Sequence, residues 1–420
     1  MRTVLLIAYH FPPRPTVGSL RAQGLAKYLP EFGWNVTVLT AKLPSNPSSE
    51  FDVIETPYKD AMGFGKKILR LDSEQNIMAQ VAQLKKKLHI KSDKSILDSL
   101  LKIVGEVTAY PDPQKGWKSP AVETGNKLLK HKHFDAIIST SSPVTCHIIA
   151  KTLKEKYELP WIADLRDLWT QNHYYPYSRL RKRFEEELEL RTLYGINALV
   201  TVSKPAFSKL AILHKNKPIF IITNGFDPIE LNNPSTNLTD KFTITYTGNL
   251  YPEKQSAEPL FIALRDLIAC GVMDANNIEV RFYGIEVGWL DKQINQYELQ
   301  KVVKQYGIVS RDIALEKQRE SQMLLLLKWN DIEEKGIYSA KLFEYLAAKR
   351  PILTIGGYQD VTSDMLDGTS IGYDITSISK LYKEYKTTGY IKYKGNSADI
   401  NQYSQREMAR KYSEILNRVA

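Results

Sequence analysis

Short apolar strands alternating with helical stretches occur twice along this chain, and a polar linker separates the two series. In the first, Thr3–Ala8 reads as a strand, followed by the loop Tyr9–Gly18, a helix over Ser19–Leu29 and a second strand at Trp34–Thr40. Further strands are expected at Ala136–Ser139, Pro160–Ala163, Ala198–Val202 and Ile219–Ile222, with helices at Val144–Glu155 and Tyr177–Tyr194. The second series starts afresh with a strand at Phe242–Thr247, the loop Gly248–Pro252, a helix at Ala257–Cys270 and a strand at Ile278–Tyr283. Ser310–Glu320 is a short helical or strand connection, and Met323–Leu327 and Ile352–Ile355 are apolar runs. Runs with no polar alternate need cover on both faces, as in parallel sheets flanked by helices. The succession implies two Rossmann-like α/β domains. Ligands of such sheets bind outside the carboxyl ends of the strands, so chemistry is expected on strand-end loops facing a cleft between the domains.

Length agrees, since 420 residues suit two domains of roughly 200 residues each. Asn224–Lys241 is rich in Asn, Pro, Ser and Thr. The division that follows is 1–225, a linker at 226–241, a second domain at 242–400 and a C-terminal helix over 401–420 that packs back on the first domain. An irregular insertion, about 42–133, interrupts the first domain. It carries amphipathic stretches near Asn76–Leu88 and Ser95–Val107, which read either as packing helices or as a basic surface for a membrane or an acceptor.

The net charge of +10 favours anionic partners, but the basic residues are spread out and no nucleic-acid-binding motif accompanies them. Cys146 and Cys270 have no metal-ligand or disulfide spacing, which fits a reducing cytoplasm. No run approaches the ~18 apolar residues of a membrane span. The histidines show no metal-binding spacing, and serine-elbow, Walker and Gly-x-Gly-x-x-Gly motifs are missing from the sequence.

The segment Ile337–Gly357 concentrates the chemistry. Leu342, Phe343 and Leu346 give a short helix its apolar face, and Pro351 stops it before the strand Ile352–Ile355. Lys341 and Glu344, three residues apart, lie on one side near the helix start. A cation beside free helix N–H groups attracts an anion, and a carboxylate one turn on accepts hydrogen bonds from sugar hydroxyls. The pair also reads as a surface ion pair.

Other strand ends add candidates. The loop after the first strand holds His10, Arg14 and Gly18, with Arg21 just beyond; the arginines suit a phosphate or an acidic sugar. Asp164-Leu-Arg166-Asp167 follows the strand Pro160–Ala163, where Asp164 is either a base or half of a buried pair that pins the loop. Gly248, Asn249 and Lys254 follow the first strand of the second series, where a lysine can face a phosphate as a point charge. His147, in an apolar helix, is a core residue with its hydrogen bonds satisfied.

Taken together, these motifs resemble bacterial glycosyltransferases of the GT-B fold, family 4 in particular, over nearly the whole chain. The resemblance rests on Tyr9-His-Phe-Pro-Pro through Gly18 and Arg21, Ala163-Asp-Leu-Arg-Asp-Leu-Trp169, Val202-Ser203, Asn224-Gly-Phe-Asp227, Tyr246-Thr-Gly-Asn-Leu250 and Lys341-Leu-Phe-Glu-Tyr-Leu-Ala-Ala348. It implies a metal-independent enzyme without a cofactor that transfers a sugar from a nucleotide-sugar donor to an acceptor hydroxyl with retention. By the same resemblance Glu344 holds the donor's ribose, amides around Ser339 and Ala340 cradle the diphosphate, Lys254 neutralises the leaving diphosphate, and Gly18 lies near it. Two positions depart from the pattern. Gly336 stands where the family has the first of two glutamates, with Glu333 or Glu334 as substitutes, and Asn249 replaces an arginine for which Lys341 compensates. Asp112, in the loop Tyr110–Trp117, is an acceptor-side candidate for catalysis with Lys254 and His10; Arg14, Arg21, Asp164, Arg166 and Asp167 line the acceptor side.

The expected protein is a cytoplasmic glycosyltransferase of surface polysaccharide synthesis, acting on a glycan or lipid-linked acceptor. Peripheral contact with an anionic membrane at its inner face is expected through the insertion, and no nucleic acid partner. Rival readings are a nucleotide-sugar epimerase of the same fold and a non-catalytic nucleotide-sugar-binding protein.

Overall fold

The computed structural model describes residues 1–14, 16–58, 105–229, 237–331, 333 and 335–420. The chain divides into two units, one comprising Met1–Val202, Ala206–Ile222 and Ala409–Ala420, the other Ser203–Pro205 and Thr223–Met408.

The first unit contains β1 (Arg2–Ile7), α1 (Val17–Tyr28), β2 (Trp34–Ala41), β3 (Asp52–Thr56), α2 (Lys118–His131), β4 (Ala136–Thr140), α3 (Thr145–Tyr157), β5 (Trp161–Asp164), α4 (Arg179–Leu193) and β6 (Ala198–Thr201), with α5 (Lys204–Leu213) leading to β7 (Ile219–Ile221). Its seven strands run parallel in the order β3-β2-β1-β4-β5-β6-β7. Sequence neighbours part company between β1 and β4, which makes that gap the switch point where a doubly wound sheet opens toward a ligand. Leu5, Ile7, Trp117, Phe134, Ile137, Trp161 and Leu199 form one buried cluster.

The second unit repeats the plan with β8 (Phe242–Thr247), α6 (Glu258–Ala269), β9 (Ile278–Tyr283), α7 (Gly288–Gln296), β10 (Val303–Gln305), α8 (Arg311–Arg319), β11 (Met323–Leu327), α9 (Ala340–Ala348), β12 (Ile352–Ile355), α10 (Val361–Thr369), β13 (Gly372–Tyr373), α11 (Ile378–Thr388) and α12 (Ser397–Asn401); α13 (Gln405–Val419) follows, and from Ala409 on it belongs to the first unit. The six strands are parallel in the order β10-β9-β8-β11-β12-β13, with the switch point between β8 and β11. Strand alternation explains the all-apolar β11. Met323, Leu325 and Leu327 join Phe242, Phe261 and Phe282 on one face. Leu324 and Leu326 meet Leu342, Phe343 and Leu346 of α9 on the other. Each such side chain contributes about 1.5–3 kcal/mol when fully buried.

The sequence reading is corrected at several elements. β3 and α2 lie within the stretch read as an irregular insertion. β3 is a sheet edge, and its charged Asp52 is held by Thr37 and Lys132, so it lacks the apolar pattern of a central strand. Helices α5, α7, α10 and α11 and the short strands β10 and β13 escape the pattern, whereas Ser310–Glu320 proves helical as α8. The stretch Asn76–Leu88 lies outside the described residues, as do Ser95–Val107 before residue 105 and the Glu334 substitute.

Candidate functional site

In the second unit the loops that leave β8, β9 and β11 converge on the start of α9. Gly248 (φ +112°) and Gly284 (φ +154°) occupy backbone conformations that L side chains rarely adopt. The Gly248 N–H donates to the Tyr283 carbonyl at 2.7 Å, and a β-carbon on Gly284 would lie 2.4 Å from the Gly248 oxygen. The two loops touch backbone to backbone, which only glycine permits. On Gly248 a β-carbon would lie 2.7 Å from Lys341 Cε, so the missing side chain is also what admits Lys341. Its ammonium lies 4.9 Å from the centre of the Tyr246 ring. Burial lowers the Lys341 pKa to about 8, against the opposing attraction of Glu344.

Glu344, one turn along α9, takes two partners from α8: Arg311 Nε at 3.5 Å from Oε1 and Gln318 Nε2 at 3.3 Å from Oε2. Gln318 Nε2 also donates to Thr247 Oγ1 at 2.9 Å. The Thr247 N–H donates to the Tyr345 hydroxyl at 3.1 Å, which in turn donates to the Leu325 carbonyl at 3.2 Å. Ser339 is the N-cap residue of α9, in extended conformation and without a side-chain capping bond, and the first turn carries no acidic residue. The amides that follow Ser339, from Ala340 onward, thus sit at an end suited to an anion. Lys254 extends over the Trp329 ring, its ammonium 4.5 Å from the centroid, and its carbonyl accepts from Asn330 N–H. The Asn249 side chain is exposed, and its carbonyl accepts from the Tyr246 hydroxyl.

The first unit separates its candidates into three groups. Arg21 and Asp164 form a fully buried, two-pronged pair (2.8 and 2.9 Å), extended by Thr140, the Ile222 carbonyl and the Tyr412 hydroxyl. Burial alone raises the Asp164 pKa, but Arg21 and these hydrogen bonds hold it below the usual carboxylate value. Asp164 takes the second of its two expected roles, half of a buried pair. The acceptor-side placement of both residues is corrected: they tie α1 to the ends of β5 and β7 and offer no free face to an acceptor. Asp112 is corrected too. It is buried and accepts from Thr145 N–H (2.7 Å), Thr145 Oγ1 and Gln114 N–H, capping α3.

The third group stays together. Arg166 lies against Gly18, where a β-carbon would sit 2.7 Å from its Nη1, and it bonds the Ser141 carbonyl and Asp167. Arg14 covers the Tyr9 ring and donates to the Lys42 carbonyl. Burial, then Arg14 and Arg166, lower the His10 pKa to about 4, and its Nδ1 is buried without a partner among the described residues. His10 is therefore neutral near pH 7. His147 is in the core as expected, but only Nδ1 is bonded, to Ser139 Oγ; Nε2 lacks a partner among the described residues.

The sequence reading missed Arg311, Gln318 and Tyr345. Arg311 and Gln318 lie seven residues apart behind the cap Ser310, one face of a helix, a spacing that becomes a signal only once that segment is taken as helical.

No family model and no curated protein matches the chain, but solved structures do. HepE of Anabaena in complex with UDP superposes with a TM-score of 0.62 at 11% identity, over 100% of both chains. Sucrose-phosphate synthase of Thermosynechococcus elongatus gives 0.55 at 12% identity, over 100% of this chain and 95% of that one. The lipopolysaccharide outer core galactosyltransferase WaaB gives 0.54 at 10% identity, over 99% of each. At these identities the likeness shows the fold: two Rossmann-like parallel-sheet domains, the GT-B fold.

Proposed function

We propose that the protein is a metal-independent glycosyltransferase of the family 4 type. On this reading it moves a sugar, with retention, from a nucleotide-sugar donor to a hydroxyl of a glycan or lipid-linked acceptor in surface polysaccharide synthesis. The observation that carries the reading is Lys341, admitted by Gly248 at the switch point of the second sheet with Glu344 one turn further on. Negative charge accumulates on the leaving diphosphate as the glycosidic bond breaks, so a cation and the amides of a helix start already in place stabilise that change without reorganisation. Lys341, the Ala340 end of α9 and Lys254 supply this charge. Glu344 accepts from the ribose hydroxyls. Arg14, Arg166 and His10 of the first unit serve the acceptor.

HepE has been solved with UDP and with UDP-glucose, which makes uridine nucleotides the first to test here. In thermal-shift titrations across UDP-, GDP-, ADP- and dTDP-sugars, one donor class should raise the melting temperature with the logarithm of its concentration. Lys254→Ala and Glu344→Ala should each weaken that donor about tenfold or more, the scale of a charge-assisted hydrogen bond. Unchanged affinity in both variants removes the site assignment, and turnover lost in EDTA removes metal independence. Gly336, with no side chain where the resemblance expects a glutamate, favours a second reading, nucleotide-sugar binding without transfer. Product formation from donor and acceptor separates the two. Membrane contact belongs to the first reading: no helix among the described residues is long and apolar enough to cross a membrane, and sedimentation with anionic liposomes tests peripheral binding.

A further inference from the structure

Glu344 has two partners of unlike character. Arg311 is 43% exposed at the side chain and approaches only to 3.5 Å, the geometry of a weak, solvent-screened surface pair. Gln318 is wholly buried, and its amide nitrogen reaches both Glu344 Oε2 and Thr247 Oγ1. The orientation of that amide follows from charge. Turned over, it would set a carbonyl oxygen against the Glu344 carboxylate, so Nε2 faces Glu344 even though Oε1 is left buried without a partner among the described residues. An orphaned buried acceptor of this kind costs stability, because its hydration is lost and nothing replaces it. A side chain kept at such a cost, bridging the end of β8 to the polar face of α9, holds one carboxylate rotamer.

We infer that Gln318 is a positioning residue for Glu344: it fixes Oε2 from behind, while Arg311 yields Oε1 to a vicinal diol of the ligand. This rests on the donor-site reading of Glu344. Arg311 is the exchangeable partner and Gln318 the permanent one. The diol therefore meets a carboxylate already aimed, and its recognition depends on a residue that need not touch it.

The test compares UDP, ADP and GDP, each with its 2′,3′-dideoxy form, by isothermal titration on the full chain. The wild-type protein should prefer the diol-bearing member of the pair it binds about tenfold or more, a hydrogen-bonded carboxylate's worth. In Gln318→Leu that preference should shrink to within about threefold, through weaker binding of the diol form alone. Gln318→Asn, which keeps the amide but shortens its reach, should give an intermediate preference and covers the case in which the leucine variant does not fold. Arg311→Ala should keep the preference in full. A merely structural role for Gln318 would weaken both members of a pair equally. Full preference in folded Gln318→Leu or Gln318→Asn, or its loss in Arg311→Ala alone, overturns the inference and leaves the donor site standing. Binding of no nucleoside diphosphate, or binding without any diol preference in the wild-type protein, removes the donor-site reading and the inference with it.

Discussion

Lys341 shows how one missing β-carbon changes the chemistry of a residue far along the chain. Its stem occupies the space that a side chain on Gly248 would fill, and burial there lowers its pKa to about 8. The folded value lies below the unfolded one near 10.5, so above pH 8 the unfolded chain holds more of this proton and the group adds stability as pH rises toward 10.5. Anion binding runs the other way, because only the ammonium attracts a diphosphate. Affinity for a nucleoside diphosphate should therefore be flat below pH 8 and fall by up to tenfold per pH unit above it. Titrations between pH 6.5 and 9.5 check this, and Lys341→Arg, whose charge persists across the range, should remove the bend. Asn249 makes the effect sharper: where the resemblance expects a second permanent cation, the chain has an exposed amide. A flat profile in the wild-type protein would show that Lys341 does not meet the anion.

At the scale of elements, α9 does two jobs with opposite faces. Leu342, Phe343 and Leu346 bury its apolar face against β11, and Lys341 and Glu344 remain on the partly exposed side. Tyr345 joins these jobs. Its hydroxyl receives the Thr247 N–H and donates to Leu325, so the helix is tied at one point to the end of β8 and the middle of β11, the two strands that frame the switch point. Tyr345→Phe leaves a buried N–H and a buried carbonyl without their partner, at a cost of about 1–3 kcal/mol. The melting temperature should fall by about 2–4 °C per kcal/mol for a unit of this size. Donor affinity should fall as well, because the Gly248 loop loses its anchor. Calorimetry and the same nucleotide titration measure the two effects, and lost stability with intact affinity would mean that the tie serves packing alone. Helix α8 matters in the same way: Ser310 starts it with a side-chain cap on Ile313 N–H, and that start sets Arg311 and Gln318 against the two oxygens of Glu344.

For the whole molecule, legibility followed burial. β8, β9, β11 and β12 can be read to the residue, the first two as alternating strands and the last two as mainly apolar runs, each closed by glycine or a polar residue. β3 and β13 cannot, since edge strands are short and partly polar. The candidate site divides similarly. Lys341, Glu344 and Gly248 stand out because their chemistry is local, whereas the fates of Asp112, Arg21 and Asp164 depend on partners distant in sequence that no local pattern reveals. Arg21 is the clearest case, since it joins α1, β5, the end of β7 and Tyr412 of α13 inside the first unit. Such a pair is a weak source of net stability, yet breaking it leaves a buried charge, so Asp164→Asn should cost about 3–5 kcal/mol at pH 7. The pH dependence has a definite sign. The Asp164 pKa is depressed in the folded state, so its contribution is complete above the unfolded value of 3.8 and is lost as acid drives the pH down through the folded value. Urea unfolding followed at several pH values should show the gap between the wild-type protein and Asp164→Asn constant from pH 7 to about pH 5 and narrowing below it. A gap that stays constant down to pH 3 would mean that Asp164 does not hold its charge through Arg21, and the pinning role assigned to the pair would fall.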